Sequence, residues 1–67
     1  MSTIELREHL ITLGAERAAA SLVGLDGVES YMANLRDEIE ATRHALTGAA
    51  VTEIATLRGQ LGGVLSG

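Results

Sequence analysis

The sequence contains no cysteine, proline, lysine, phenylalanine or tryptophan among its 67 residues, and it has a single tyrosine. Because cysteine is absent, no disulfide can compensate for the small core that so short a chain builds. Basic residues are also scarce: five arginines against nine acidic residues leave a net charge of −4. Affinity for nucleic acid comes from clustered cations, so this balance argues against a nucleic-acid partner.

Long uncharged segments are missing as well. The longest, at 59–67, has nine residues, and the segment at 45–52 has eight, whereas a membrane-spanning helix needs about 18 or more. The first residues carry neither a basic cluster nor an apolar run, so a secretory signal is not expected. These features predict a cytoplasmic protein with no membrane partner.

Apolar residues make up 46% of the chain, and alanine is common among them. The larger apolar side chains are too few to stabilise a chain of this length by their burial alone. Short chains whose core is too small to stabilise them usually oligomerise or bind a metal. The sequence therefore predicts self-association, or docking on a larger protein assembly.

Helix signals dominate the first third of the chain. Ser2 and Glu5 have the spacing of a capping box, in which each side chain accepts a hydrogen bond from the backbone amide of the other residue. This pair predicts a first helix over about residues 3–23. The two glycines of Gly24–Gly27 then predict a turn.

A second helix is predicted over about residues 27–61. Asp26 lies three residues before Glu29, and this spacing suggests that Asp26 caps the helix. Its apolar positions recur at spacings of three and four, which place them on one helical face, and this face continues across Gly48. A single long helix is favoured over a break at Gly48 that would start a third helix. The stripe consists of Val28, Met32, Leu35, Ile39, Thr42, Leu46, Ala50, Ile54, Leu57, Leu61 and Val64.

The first helix has two apolar faces about 150° apart at 100° per residue. One contains Leu6, Leu10, Leu13 and Ala20, and the other contains Ile4, Ile11, Ala15, Ala18 and Leu22. A helical hairpin covers only one of them, so the second face is predicted to contact a partner. The alternative is that Gly14 kinks the helix and both faces point to one core.

The last residues, 62–67, form an apolar glycine-rich tail after the second helix. This segment either docks into a partner groove or is a frayed end of the helix. The apolar side chains that would dock are Leu61, Val64 and Leu65. Leu57 and Leu61 are predicted interface residues as well. Glu53 and Arg58 flank this part of the stripe, and they either set the register between chains or remain solvated.

Two Glu–His pairs, Glu5 with His9 and Glu40 with His44, are the only candidates for a metal site. His44 lies about 160° from the centre of the apolar stripe, so we expect solvated pairs and no metal or other cofactor. No nucleophile lies beside an evident base, and two helices enclose no pocket of ligand size. The sequence therefore predicts neither catalytic residues nor a small-molecule substrate.

Other polar residues favour surface roles. The acidic cluster of Asp37, Glu38 and Glu40 is flanked by arginines, so we expect (i, i+4) and (i, i+3) pairs such as Arg36–Glu40 and Glu40–Arg43; a basic partner is the alternative. Tyr31 is either an interfacial anchor or a packed residue at the rim of the hairpin.

Two segments, residues 31–43 (YMANLRDEIEATR) and 49–58 (AAVTEIATLR), resemble short helical open reading frames carried by actinobacterial phages and prophages. The similarity covers roughly residues 28–63 and includes no catalytic motif. It implies a small accessory protein, such as a virion or capsid-associated component. A location in the virion is then the alternative to the cytoplasm.

Taken together, the sequence predicts a single all-α module, a helical hairpin with a long second helix. Its expected function is that of a non-catalytic structural or assembly protein that oligomerises or clamps onto a larger complex. The alternative is a small regulatory binding module, such as an acidic inhibitor or adaptor of a host protein. Structural use predicts many copies with a symmetric contact, whereas regulation predicts a one-to-one complex.

Overall fold

The computed structural model describes the backbone of residues 1–66 and the side chains of residues 1–62. It confirms an all-α hairpin with a long second helix. Helix α1 spans Thr3–Leu22, a 3-10 turn spans Leu25–Gly27, and helix α2 spans Glu29–Ser66. The molecule measures 60 × 16 × 13 Å, so its length is essentially that of α2.

The start of α1 follows the predicted capping box. The Ser2 hydroxyl accepts a hydrogen bond from the Glu5 amide at 3.2 Å, and the Ser2 amide donates to Glu5 Oε1 at 3.4 Å. Both bonds satisfy amides that the first turn of a helix leaves without partners. Helix α1 then continues through Gly14 without interruption, so the alternative of two short segments is wrong.

The turn between the helices depends on Gly24. This residue has φ 81°, a left-handed conformation that a side chain would strain. The 3-10 turn that follows contains Asp26, and the first helical bond of α2 runs from the Met32 amide to the Val28 carbonyl at 3.0 Å. Val28 therefore occupies the N-cap position, and the prediction that Asp26 caps α2 was wrong.

Helix α2 is longer at its C-terminal end than the sequence predicted. It crosses Gly48 without a break and continues to Ser66, so the predicted non-helical tail after residue 61 is wrong for the backbone of residues 62–66. Each interior glycine costs a helix only about 1 kcal/mol, which the neighbouring residues of a long helix can offset. The side chains of Val64 and Leu65 lie outside the described residues.

The core occupies the seam between α1 and the first half of α2. Leu13, Leu35 and Ile39 form its buried centre, with Leu10 and Tyr31 packed against them. Leu6 and Ala20 are buried towards the two ends of α1. The remaining buried residue, Thr42, donates its hydroxyl to the Glu38 carbonyl at 2.8 Å, so it occupies an apolar stripe without leaving a polar group unsatisfied.

Candidate interaction surfaces

Three polar contacts along the seam hold the two helices in an antiparallel register. Near the turn, the Tyr31 hydroxyl donates to Glu16 Oε1 at 2.7 Å. Towards the middle of α1, His9 Nε2 lies 3.2 Å from Glu38 Oε1.

At the far end of the seam, the Thr3 hydroxyl donates to Glu53 Oε1. Thr3 is the first residue of α1, so α1 covers α2 only as far as this contact. Glu53 also places a negative charge beside the N-terminus of α1, where the helix dipole favours one.

The first candidate surface is the outer face of α1, formed by Ile4, Ile11, Ala15, Ala18 and Leu22. All five side chains are exposed in the described structure, and the three large ones are 71%, 72% and 88% exposed. The face points away from α2, because the residues that contact α2 lie on the opposite side of α1. Its spacings of seven, four, three and four form a stripe along the whole helix, interrupted by Glu8.

The second candidate surface lies on the part of α2 that extends beyond α1. We call residues Ile54–Ser66 the overhang; at 1.5 Å per residue it is about 20 Å long. Ile54, Leu57 and Leu61 are 53%, 56% and 55% exposed, although they continue the stripe that is buried at Leu35 and Ile39. No helix of this chain covers them within the described residues.

The predicted interface residues thus separate into three groups. Ile4, Ile11, Ala15, Ala18 and Leu22 lie on the outer face, and Leu57 and Leu61 lie on the overhang. Tyr31 is half-buried against the core and bonded to Glu16, which places it at the rim of the hairpin. Val64 and Leu65 are not assigned to any of these groups, because their side chains lie outside the described residues.

Sequence reasoning missed two exposed apolar residues in the C-terminal half of α2. Ile54 was assigned to the stripe but not to an interface, and Val51, which is 59% exposed, was not considered. The available signal was length: a first helix of about 20 residues cannot cover a stripe that extends to the end of a helix nearly twice as long.

Polar residues on the solvent side of the described structure line two open depressions. Glu40, Arg43, His44 and Thr47 line an open depression on α2. No group of three or more metal-ligating side chains comes together among the residues that the structure describes. Arg17, Asp26, Glu29 and Arg36 contribute both signs of charge to a second depression near the turn.

The expected pairs Arg36–Glu40 and Glu40–Arg43 are not formed in the described part of the chain. Arg36 Nε instead lies 3.6 Å from Asp37 Oδ1. Both side chains are mostly exposed, and such pairs contribute little because water screens them and their rotamers remain free. The physical reason for the difference is that exposed charges gain little from any one partner.

The Tyr31 pKa is raised above its ordinary value. The hydrogen bond to Glu16 is the main cause, since it stabilises the protonated phenol; desolvation and the negative charge of Glu16 act in the same direction.

Comparison of the chain with known protein families, with curated proteins and with solved structures finds no match. Among the described residues, no helix has both the length and the apolar content needed to cross a membrane.

Proposed function

We propose that this chain is a non-catalytic assembly protein, whose copies associate through exposed apolar faces and attach as a unit to a larger complex. The outer face of α1 carries this proposal. Large apolar side chains scattered singly over a surface are ordinary, whereas a contiguous stripe along one helix is typical of an interaction site.

The total exposed area supports the same proposal. The chain exposes 5082 Å², whereas a compact monomer of 7.0 kDa would expose about 4000 Å² by the scaling of folded proteins. The excess of about 1000 Å² is close to the roughly 800 Å² that each partner buries in a stable interface. An elongated hairpin of this shape has the surface that a subunit needs.

The larger complex that we propose is a phage virion or capsid. The resemblance to short helical proteins of actinobacterial phages supports this choice, and so does the shape of the molecule. A thin helical rod with an apolar face can lie along a groove between larger subunits, where each contact along the rod adds to the binding. In this role the protein would link capsid subunits without chemical change.

The variant Leu22→Asp tests the outer face. Leu22 is 88% exposed, so the change leaves the hairpin core intact but places a charge in the proposed contact. The matched control is Ser21→Asp, which adds the same charge beside it at an exposed position in the same last turn. Any penalty from the helix dipole is therefore common to both variants.

Molar mass should be measured by light scattering over a tenfold range of concentration, with helix content followed by circular dichroism. We expect wild type and Ser21→Asp to form particles of more than two chains, and Leu22→Asp to form smaller ones with unchanged helix content. If wild type contains no more than two chains throughout, or if Leu22→Asp associates like its control, the assembly proposal is wrong. A single-copy chain would instead suit the regulatory module.

A further inference from the structure

The overhang carries an apolar stripe with its own direction. At 100° per residue, the mean direction of Ile54, Leu57 and Leu61 is turned about 60° around α2 from the side that contacts α1. This rotation of the stripe around the helix axis arises from the two successive four-residue spacings between Leu46 and Ile54. A second helix on this stripe would therefore lie beside the first turn of α1 without colliding with it.

The charges beside the stripe form a self-complementary pattern. If Ile54 and Leu61 occupy a positions of a heptad and Leu57 a d position, Glu53 falls at g and Arg58 at e. The two charges are five residues apart, which is the separation that joins g of one chain to e of the next in a parallel coiled coil. Within the described residues, Arg58 forms no ion pair inside its own chain.

We propose that the overhangs of two copies pair as a short parallel coiled coil, in register, around Ile54, Leu57 and Leu61. Two symmetric ion pairs, Glu53 of each copy with Arg58 of the other, flank the apolar layers. Ile54 at a with Leu57 at d is the combination that favours two parallel strands, and Leu61 occupies the second a position. This inference deepens the proposed function, since it names a second copy as the partner of the overhang, but it rests on other residues than the outer face.

Charge complementarity selects the parallel orientation. In an antiparallel pair, e positions face e positions and g positions face g positions. Arg58 would then face Val51 and Glu53 would face Gln60 of the second copy, and neither combination forms an ion pair. The parallel arrangement pairs both charges on both sides.

The extent of the pairing is limited by like charges. Arg36 and Arg43 lie within about 30° of the same direction on α2, further towards its N-terminus. A parallel partner would bring each arginine opposite its own copy, which is unfavourable. The contact therefore begins after Arg43, and the two hairpins diverge from it.

Two single-charge variants test the pairing. The chain with Arg58→Glu carries an acidic residue on both sides of the apolar stripe, at positions 53 and 58. The chain with Glu53→Arg carries an arginine at both positions. Each variant alone should dimerise about tenfold more weakly than its parent, because two attractive pairs become repulsive. An equimolar mixture should regain the affinity of the parent, since both flanking pairs of the heterodimer are then attractive.

All of these chains should carry Leu22→Asp, so that association through the outer face does not contribute to the molar mass. Failure of the assembly proposal and failure of this inference are then separate results. Arg43→Glu is the matched control for Arg58→Glu and should leave the dimer intact, because the proposed contact begins after residue 43. Circular dichroism verifies that every variant keeps its helix content, including Glu53→Arg, which also loses the hydrogen bond from Thr3 inside its own chain. If the mixture associates no better than the single variants, the proposal is wrong.

A disulfide experiment tests the register independently. The natural chain has no cysteine, so one introduced thiol gives an unambiguous product. Leu57→Cys places the two thiols opposite each other in the parallel pair, within the short separation that a disulfide requires. Ala55→Cys, on a neighbouring exposed position away from the stripe, is the control. We expect rapid cross-linking of Leu57→Cys only; equal rates for both variants would contradict the register.

Discussion

At the residue scale, the most informative contact joins Tyr31 to Glu16 across the hairpin. The aromatic ring packs against the core while the hydroxyl reaches the carboxylate at the surface. This arrangement satisfies both parts of an amphipathic side chain. It also gives the chain a spectroscopic probe, because Tyr31 is its single tyrosine and tryptophan is absent.

The raised pKa of Tyr31 predicts a loss of stability at alkaline pH. The group is more readily protonated in the folded chain than in the unfolded one, so its contribution is fully present below the ordinary tyrosine value of about 10. The contribution disappears as pH rises through the folded pKa. In a titration of tyrosinate absorbance, we expect Glu16→Gln to lower the midpoint towards that ordinary value. Glu8→Gln, on the same helix but without this bond, should leave the midpoint unchanged.

Cross-helix contacts of this kind could not be predicted from the sequence. His9 was considered with Glu5 on its own helix, but in the structure it lies beside Glu38. The two residues are 29 positions apart, and their contact depends on the position of the turn and on the rotation of each helix. If the predicted position of the turn, or the predicted rotation of a helix, were wrong by one residue, a different side chain would be placed opposite His9.

At the element scale, α2 contains one stripe in two environments. Ile39 is 4% exposed beneath α1, whereas Ile54, fifteen residues further along, is 53% exposed. The two residues have the same chemistry and belong to one apolar stripe, which turns about 60° around α2 between them. They differ in burial because the cover that α1 provides stops near Glu53.

Substitution of these two isoleucines should therefore have different effects. Ile39→Ala removes buried methyl and methylene groups and should lower the free energy of unfolding by about 2–4 kcal/mol at every concentration. Ile54→Ala should leave the unfolding of the dilute chain nearly unchanged and weaken only its concentration-dependent stability. Denaturant unfolding at two concentrations measures both effects. A loss at Ile54 that persists undiminished on dilution would contradict the exposed placement of the overhang.

At the scale of the whole molecule, the two proposed contacts face different directions. In the proposed arrangement, the overhang would join two copies around a two-fold axis and leave the outer faces of their α1 helices available for a further contact. A dimer with two such faces binds bivalently, which raises the strength of attachment without any new contact. Two binding faces in one dimer would therefore suit a small subunit with a thin core for attachment to a larger assembly.

The length of the dimer provides a prediction at this scale. A parallel pair in register should keep a maximum dimension near the 60 Å of the single chain. Antiparallel pairing through the overhangs would place the hairpins end to end, with a length of about 100 Å from the helical rise. Small-angle X-ray scattering on the Leu22→Asp dimer distinguishes the two, and a dimension near the larger value would refute the parallel arrangement.

Helix positions and the start of α1 were predictable because they depend on neighbours in the chain. The Ser2 capping box, the left-handed Gly24 and the spacing of the apolar residues all act over four residues or fewer. The end of α2 was predicted less well. Glycines favour termination without enforcing it, and the helix continues past Gly59 and Gly62.

The order of residues along the chain was enough to predict a helical hairpin with more apolar surface than one hairpin can bury. The location of that surplus became clear only from the folded structure, because burial depends on contacts between residues far apart in the chain. The Thr3–Glu53 contact sets the end of the cover over α2. Beyond it, Ile54, Leu57 and Leu61 have the spacing of core residues, but no helix of the same chain covers them in the part that the structure describes.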